Sequence, residues 1–409
     1  MKAILIGAGR MAEAVLYDFV AGGEYEEITA ADVDVARAAQ LAERRGGGTT
    51  RAAAVDASDE AAVARLVAGH DVCVSAAPYR YNVGLARAAI AAGAHFVDMG
   101  GNNDVVAAEL ALDGEAKAAG VAVVPDLGLA PGMTNVLAAS LVGRFDEPEA
   151  LHLRVGGLPQ RPEPPLNYAL VFSPYGLINE YAEFCLALRG GEVVTLPPLT
   201  EVETLEVPPL GRLEAFHTSG GASTLPFTYR GRLAELDYKT IRYPGHCAAI
   251  KPLFDLGLAS EEEVTVGGVH VTPRDLFAER LAAVLPEGRD DLVVVRCRAA
   301  GRRAGELKTA SYELIDYADA ATGLTAMQRT TGFPAAKKTC ETYDKKETAA
   351  FADWEKRGIN IYTPPAEELA LWKKTVAPVW DKWIEDNEAK GLPAKKIVEE
   401  LKKLAAEKK

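Results

Sequence analysis

The sequence predicts an α/β chain: a doubly wound parallel sheet of the Rossmann type, a second α+β domain and a helical C-terminal appendage. Three observations carry that reading. A short apolar strand, Lys2–Ile6, runs directly into Gly7-x-Gly9-x-x-Ala12. Strand and helix patterns then alternate as far as Pro125, the βαβ rhythm of a parallel sheet with helices on both faces. Finally, 409 residues exceed one ordinary domain and leave room for two or three lobes.

In chain order, residues 10–20 read as a helix and Glu27–Asp32 as a second strand. Gly7 permits a tight turn, Gly9 lets backbone amides approach an anion, and Ala12 keeps the helix against the sheet. The second strand ends on Asp32, at the spacing where an acid hydrogen-bonds an adenosine ribose and repels a 2′-phosphate. The pattern predicts a dinucleotide site with NAD as cofactor. Arg37, close by, is the feature that argues for the phosphorylated form. Residues 51–55, 71–75, 95–98 and 121–125 read as strands, and 60–68 and 82–92 as helices. Such sheets bind ligands at the carboxyl ends of their strands. That directs attention to Ser75-Ala76-Ala77-Pro78-Tyr79 and Asp98-Met99-Gly100-Gly101.

Beyond Pro125 comes a punctuated loop, Asp126 to Asn135, then a helix over 135–142. Residues 150–319 read as strands and hairpins with fewer helices, and a helical stretch near Thr325 returns to the first domain. The expected division is 1–127, 128–321 with 322–336 rejoining the first part, and 337–409. The last boundary rests on base usage. Before it the lysines are Lys2, Lys117, Lys239, Lys251 and Lys308; after it lysine dominates, and all four tryptophans lie there.

A formal charge of −13 argues against nucleic-acid partners. No apolar run reaches membrane-spanning length and the first strand begins at once, so a cytoplasmic protein without membrane attachment is expected. Five cysteines without a C-x-x-C pair suggest buried thiols, and the histidines lack metal-ligand spacing, so no metal is expected.

Over residues 1–336 the chain resembles the saccharopine dehydrogenase superfamily, most closely its lysine 6-dehydrogenases. The residues that carry the resemblance are Gly7-Ala-Gly9-Arg10-Met11, Ala77-Pro78-Tyr79, Asp126-x-Gly128-x-Ala-Pro131-Gly132-x-x-Asn135, Glu214 to Pro226, Tyr238 to His246, and Thr330 to Pro334. The resemblance implies a nicotinamide-dependent oxidoreductase acting on an amino-acid amine, and a homo-oligomer. A lysine 6-dehydrogenase oxidises the side-chain amine of L-lysine to the 6-semialdehyde and ammonia.

That chemistry needs a base for the ammonium and for the water that attacks the iminium. His246, in a Pro-Gly turn, suits the task, or else serves as a loop histidine bonded to backbone; His217 is a second candidate. Tyr79 and Asp98, at strand ends, face the reaction as proton relays, unless Tyr79 only packs. Arg242 offers a fork and Lys239 a point charge for the substrate carboxylate, against the alternative of outward cations on a strand. Glu180 suits an α-ammonium, and Thr218 lies in a glycine-rich loop. Asp126 and Asn135 line the site through the shared motif, Asp126 equally readable as a hinge or cap. Gly7, Gly9, Arg10, Met11, Asp32, Ala76, Ala77 and Pro78 form the expected cofactor set.

Residues beyond 336 resemble instead the C-terminal helical end of TRAP-type solute-binding proteins, through Trp354 to Leu369 and Pro378-Val-Trp380-x-x-Trp383. A native oligomerisation arm is the alternative. The competing functions for the whole chain are a saccharopine-type reductase, a non-catalytic dinucleotide sensor and an interaction protein acting through its tail.

Overall fold

The computed structural model describes residues 1–336. The helical appendage and the resemblance drawn for it lie outside the described residues. Six parallel strands, β1 (Lys2–Ile6), β2 (Glu27–Asp32), β3 (Thr50–Ala54), β4 (Val72–Ser75), β5 (His95–Asp98) and β6 (Val123–Val124), form a sheet in the order β3-β2-β1-β4-β5-β6. β1, β4 and β5 are buried almost throughout, as strands covered on both faces must be. The helices are α1 (Arg10–Gly22), α2 (Val35–Arg45), α3 (Glu60–Val67), α4 (Asn82–Ala92), α5 (Asn103–Leu110) and α6 (Asp113–Ala119).

Helix α1 shows how the pattern becomes packing. Its buried residues Ala12, Val15, Leu16 and Phe19 recur at helical spacing and join Leu5, Val74 and Val97 in the core on one face of the sheet. Leu85, Ala89 and Phe96 belong to the core on the other face. The doubly wound expectation holds, with two differences. The strand expected over 121–125 shrinks to Val123–Val124, since Pro125 has no N–H to extend the ladder. Two helices, α5 and α6, fill the stretch between β5 and β6, where the sequence suggested none. Asn102 starts α5 by accepting from the amides of Asp104 and Val105 at 3.0 and 3.1 Å.

The second domain follows α7 (Met133–Val142). Its elements are β7 (Glu147–Pro159), α8 (Pro174–Ala182), β8 (Cys185–Arg189), β9 (Glu192–Leu196), β10 (Glu203–Val207), β11 (Gly211–His217) and α9 (Leu225–Thr228). Next come β12 (Glu235–Arg242), α10 (His246–Asp255), the hairpin β13 (Val264–Val266) and β14 (Val269–Val271), α11 (Pro273–Val284), β15 (Asp291–Arg303) and β16 (Glu306–Tyr317). The main sheet runs β10-β11-β12-β7-β15-β16, with β8 on β12 and β9 on β8. Only its β12–β7 pair is parallel. Tyr168, Tyr181, Phe216, Ile250 and Phe277 fill the core beneath it. Residues 326–336 are helical, and Ala335 and Ala336 pack into the first-domain core. The Gln328 side-chain amide donates to Arg10 O at 2.9 Å.

Among the described residues no helix is long and apolar enough to cross a membrane. Cys73, Cys185, Cys247 and Cys297 are buried and unpaired.

Buried charge is concentrated between β7 and β12. Arg154 Nη1 donates to Asp237 Oδ1 at 2.7 Å, and His152 Nδ1 lies 2.8 Å from the same oxygen. Burial pushes the Asp237 carboxyl up, but these two partners outweigh it and hold the group well below its usual range. Its stabilising effect is therefore present above the ordinary carboxylate pKa and fades as pH falls through it. Replacing Arg154 by Met removes the shortest cationic partner of a buried carboxylate, leaving it His152 at 2.8 Å and Arg189 at 3.5 Å. We expect R154M to lose about 3 kcal/mol in urea unfolding at pH 7, with a deficit that shrinks toward pH 3. A loss below about 0.5 kcal/mol would contradict this account.

Candidate active site at the carboxyl edge

The glycine loop forms as its residues demand. Gly7 adopts φ 98° and lies against β4, where an added Cβ would stand 2.6 Å from the Ala76 carbonyl. Its amide donates to Ala31 O at 2.7 Å, and the Ala76 amide to Ile6 O at 2.7 Å. A Cβ on Gly9 would meet nothing within 4 Å, and no side chain caps the start of α1. Asp32 accepts from the Ala8 amide at 2.7 Å and from the Asp34 amide at 2.9 Å. Each oxygen keeps a lone pair for a further donor. Open space above Gly9, an uncapped helix and a carboxylate at the end of β2 fit a dinucleotide, with its pyrophosphate at Gly9 and Arg10 and its ribose at Asp32. Ala77 and Pro78 continue this edge beside Gly7.

Two of the expected cofactor residues turn away from it. Arg10 reaches the second domain, donating to Leu170 O at 2.8 Å and pairing with Glu287 at 3.3 Å. Met11 packs on the second-domain core. Both side chains clamp the domains together and leave only their backbone to a pyrophosphate.

At the ends of β5 and β6 three carboxyl groups converge. Asp98 Oδ1 accepts from the amides of Gly100, at 2.6 Å, and Asp126, at 3.2 Å. Asp98 Oδ2 faces the carboxyl of Glu109, which projects from α5 into the core. Asp126 has φ 60° and accepts a hydrogen bond from the Ser223 hydroxyl of the second domain. Burial raises the Asp126 carboxyl to about 7; the Ser223 bond opposes that rise and the Asp98 charge adds to it. Burial, then the Asp98 charge, raises Glu109 to about 9. Tyr79 closes the edge. Its ring lies over Gly101, and its hydroxyl accepts from Asn179 Nδ2 of α8 at 3.1 Å. Ser219 donates to Asn179 O at 3.1 Å and lies 3.5 Å from Glu183. A groove of about 410 Å³ opens at Ser223, walled by Val106, Leu110, Thr224 and Phe227.

Several expected site residues lie elsewhere. His246 follows the Pro-Gly turn as the first residue of α10, inside the second domain, and is 1% exposed. Its Nδ1 lies 2.9 Å from Leu166 O and its Nε2 3.0 Å from the Tyr181 hydroxyl. The Leu166 carbonyl requires Nδ1–H, so Nε2 accepts from Tyr181. Burial, then the charge of Arg242, depresses the imidazole to about 3. It is neutral and enclosed, and its bond to the Leu166 carbonyl matches the alternative of a histidine bonded to backbone.

Arg242, expected as a free carboxylate fork, is 2% exposed. It lies between the rings of Tyr168 and Tyr181, 4.7 and 5.7 Å from their centroids. Its Nε donates to the Tyr181 hydroxyl at 2.8 Å, its Nη1 to Ile241 O at 2.9 Å, and its Nη2 stands 3.5 Å from Glu180. Two residues assigned to opposite ends of a substrate thus hold each other. Lys239 is buried too, donating to Glu201 O at 2.7 Å. Thr218 is hydrogen-bonded to Thr240 at 2.6 Å, and His217 lies 3.0 Å from Glu201. Asn135 accepts from the Gly132 amide at 3.4 Å at the start of α7.

The edge gathers Tyr79, Asp98 and Asp126 from the expected set and adds Glu109, Asn179, Glu183, Ser219 and Ser223. Glu109 left a trace in the sequence: it falls three residues after Val106 and three before Leu112, an acid on the apolar stripe of a helix. Among the described residues no group of three or more His, Cys, Asp or Glu side chains could hold a metal.

An uncapped glycine loop, a ribose-facing acid and a second sheet domain meeting the carboxyl edge define a two-domain dinucleotide-binding protein. Two family models match the chain: the saccharopine dehydrogenase NADP binding domain over residues 3–124 and the saccharopine dehydrogenase C-terminal domain over 128–351. The chain belongs to the saccharopine dehydrogenase family. It is 28% identical over 221 residues to a saccharopine dehydrogenase [NADP(+), L-glutamate-forming] of Pyricularia oryzae, covering 51% of this chain and 48% of that protein. The chain spans about half the length of the curated relatives it matches. In fold it is similar to apo saccharopine dehydrogenase (L-Glu forming) from Saccharomyces cerevisiae, with TM-score 0.69 and 20% identity over 84% of this chain and 91% of that one. It is also similar to the homospermidine synthase of Legionella pneumophila solved with NAD, with TM-score 0.56 and 11% identity over 84% of each chain.

The two loop glycines are separable by experiment. G7A forces a Cβ into the β4 backbone at a left-handed φ, and we expect a loss of about 2 kcal/mol or more in thermal unfolding. G9A has room within the protein, so its stability should stay within about 0.5 kcal/mol of wild type. Its dinucleotide affinity, followed by titration calorimetry, should fall at least about tenfold. Equal stability losses in both variants would refute this division.

Proposed function

We propose that the chain is a nicotinamide-dependent oxidoreductase that oxidises the amine-bearing carbon of an amino acid, with NAD and the side-chain amine of L-lysine as its pair. The observation that carries this reading is the groove walled by Val106, Leu110 and Phe227 and lined by Ser223, whose hydroxyl donates to the buried Asp126 carboxyl behind it. The Asp126 carboxyl behind Ser223 favours a cationic head, and Val106, Leu110 and Phe227 suit the methylenes that precede it. Asp32 supports NAD, because a 2′-phosphate would meet its negative charge. Arg37 is exposed on α2.

When bound, the nicotinamide ring takes up the hydride. The protein must first deprotonate the ammonium, whose reference pKa is about 10.4. Asp126, ionised above about 7, takes that proton with Ser223 fixing its orientation. Tyr79, held by Asn179, borders the reacting carbon and keeps water scarce until hydride has left. After hydride has left, Asp126 releases that proton to solvent, takes one from the water that attacks the iminium and passes it to the departing amine; the remaining hydroxyl proton leaves to solvent as the C–N bond breaks, which gives ammonia and the semialdehyde.

The activity in the name of the Pyricularia relative favours a second reading, oxidation of the secondary amine of saccharopine with NADP(+). Near-ultraviolet absorbance separates the two. We expect reduced cofactor from NAD with L-lysine at a rate at least about tenfold above NADP with saccharopine. A response confined to NADP and saccharopine would replace the first reading with the second.

The pH dependence follows from Asp126. Its carboxyl is protonated and idle below about 7, so kcat/KM should rise through pH 7 and level off above it. D126N should lower kcat by about a hundredfold or more and remove that limb. An unchanged limb in D126N would assign the base elsewhere.

A further inference from the structure

Glu109 is the one member of the carboxyl cluster for which neither the motifs nor the reaction has a use. Both its oxygens are sealed from solvent, and neither they nor Asp98 Oδ2 has any other hydrogen-bond partner, which leaves the two carboxyls to each other. The arrangement around the pair is lopsided. Asp98 Oδ1 already accepts from the amides of Gly100 and Asp126, while Glu109 receives no backbone donor. Two facing carboxyls in a core share one proton. Burial raises both carboxyls, but the Asp126 and Gly100 amides and the Glu109 side chain pull Asp98 back down, while the Asp98 charge raises Glu109 further, so the proton resides on Glu109 and the negative charge on Asp98.

The groups facing the pair come from four places. β5 brings Asp98, α5 brings Glu109, the residue after Pro125 brings Asp126, and the second domain brings Ser223. Beyond Asn102 stand Glu183 and, near it, Arg274. Asp126 feels the Asp98 charge directly, and its amide hangs on the same carboxylate.

We propose that Glu109 is a positioning residue of this site: as the protonated partner of Asp98 it keeps Asp98 ionised in the core, and through Asp98 it fixes the main chain and the proton affinity of Asp126. Without that donor, Asp98 takes the proton itself. Its grip on the Gly100 and Asp126 amides weakens, and Asp126 loses the neighbouring charge that raises its pKa. The effect on turnover rests on the amine-oxidation reading, whereas the proton on Glu109 does not.

Two variants of the full chain separate the roles. E109Q keeps an N–H donor to Asp98; E109L removes it. With L-lysine and NAD, E109Q should stay within about twofold of wild-type kcat/KM with its acidic limb unmoved. E109L should fall at least about tenfold, with the limb shifted to lower pH by about one unit. A merely structural role would lower the melting temperature of both and leave both limbs in place. An unshifted limb in E109L, or an equal shift in E109Q, overturns the proposal.

The melting arm needs no turnover. Glu109 has a folded pKa near 9 against 4.5 in the free group, so unfolding releases a proton between those values and stability falls as pH rises across that window. Wild type should lose melting temperature from pH 7 to pH 9 more steeply than E109Q, which cannot ionise. Parallel slopes overturn the assignment of the proton even if no amine is turned over. Silence with every amine alongside divergent slopes would instead reject the functional reading and keep the carboxyl pair.

Discussion

The Asp98 carboxylate ties the carboxyl edge of the first domain to the start of the second. One of its oxygens gathers the amides of Gly100 and Asp126, and its own carbonyl accepts from Leu127 at 2.8 Å. The turn leaving β5 and the crossover leaving β6 are thus pinned to one residue. Such a charge survives in a core only when donors surround it, and two backbone amides with a protonated neighbour meet that need. The left-handed backbone of Asp126, unusual for an aspartate, is held in place by this clamp and by Ser223 across the domain boundary.

The second domain solves a similar problem with aromatic rings. Arg242 is buried beneath two tyrosines, its guanidinium shared between Tyr181, Ile241 and Glu180. The hydrogen-bond chain runs on from Tyr181 to His246 and ends on the Leu166 carbonyl. These polar residues specify how α8, α10 and β12 meet, because each has a partner only in this packing. They brace the sheet behind the edge at which Asn179 and Ser219 present themselves.

The first domain was legible because its physics is local. A strand that ends in Gly7, a helix whose apolar residues recur at 3, 4 and 7, and an acid closing β2 are all readable within a dozen residues. The site was legible only in part. Tyr79, Asp98 and Asp126 sit at strand ends, where topology alone locates them. His246, Arg242 and Lys239 carry the residue types that chemistry favours, yet nothing in the linear pattern says whether a cation on β12 points at a substrate or at Glu180. Glu109, Asn179 and Ser223 come from α5, α8 and a loop far apart in sequence, and only tertiary contact makes them neighbours. An acid on the buried stripe of α5 was the single local clue.

The return of residues 326–336 to the first-domain core has a mechanical consequence. The second domain leaves the first at Asp126 and comes back after the Asp319–Leu324 bridge, so it is fastened by two strands of chain. A body held at two points can rock about the line that joins them but cannot swivel freely. Arg10 and Gln328 lie beside one fastening and Asp126 with Ser223 beside the other. A break in either crossing would therefore leave the second domain tethered by the other, so the covalent path itself keeps Asn179 and Tyr79 at the same edge.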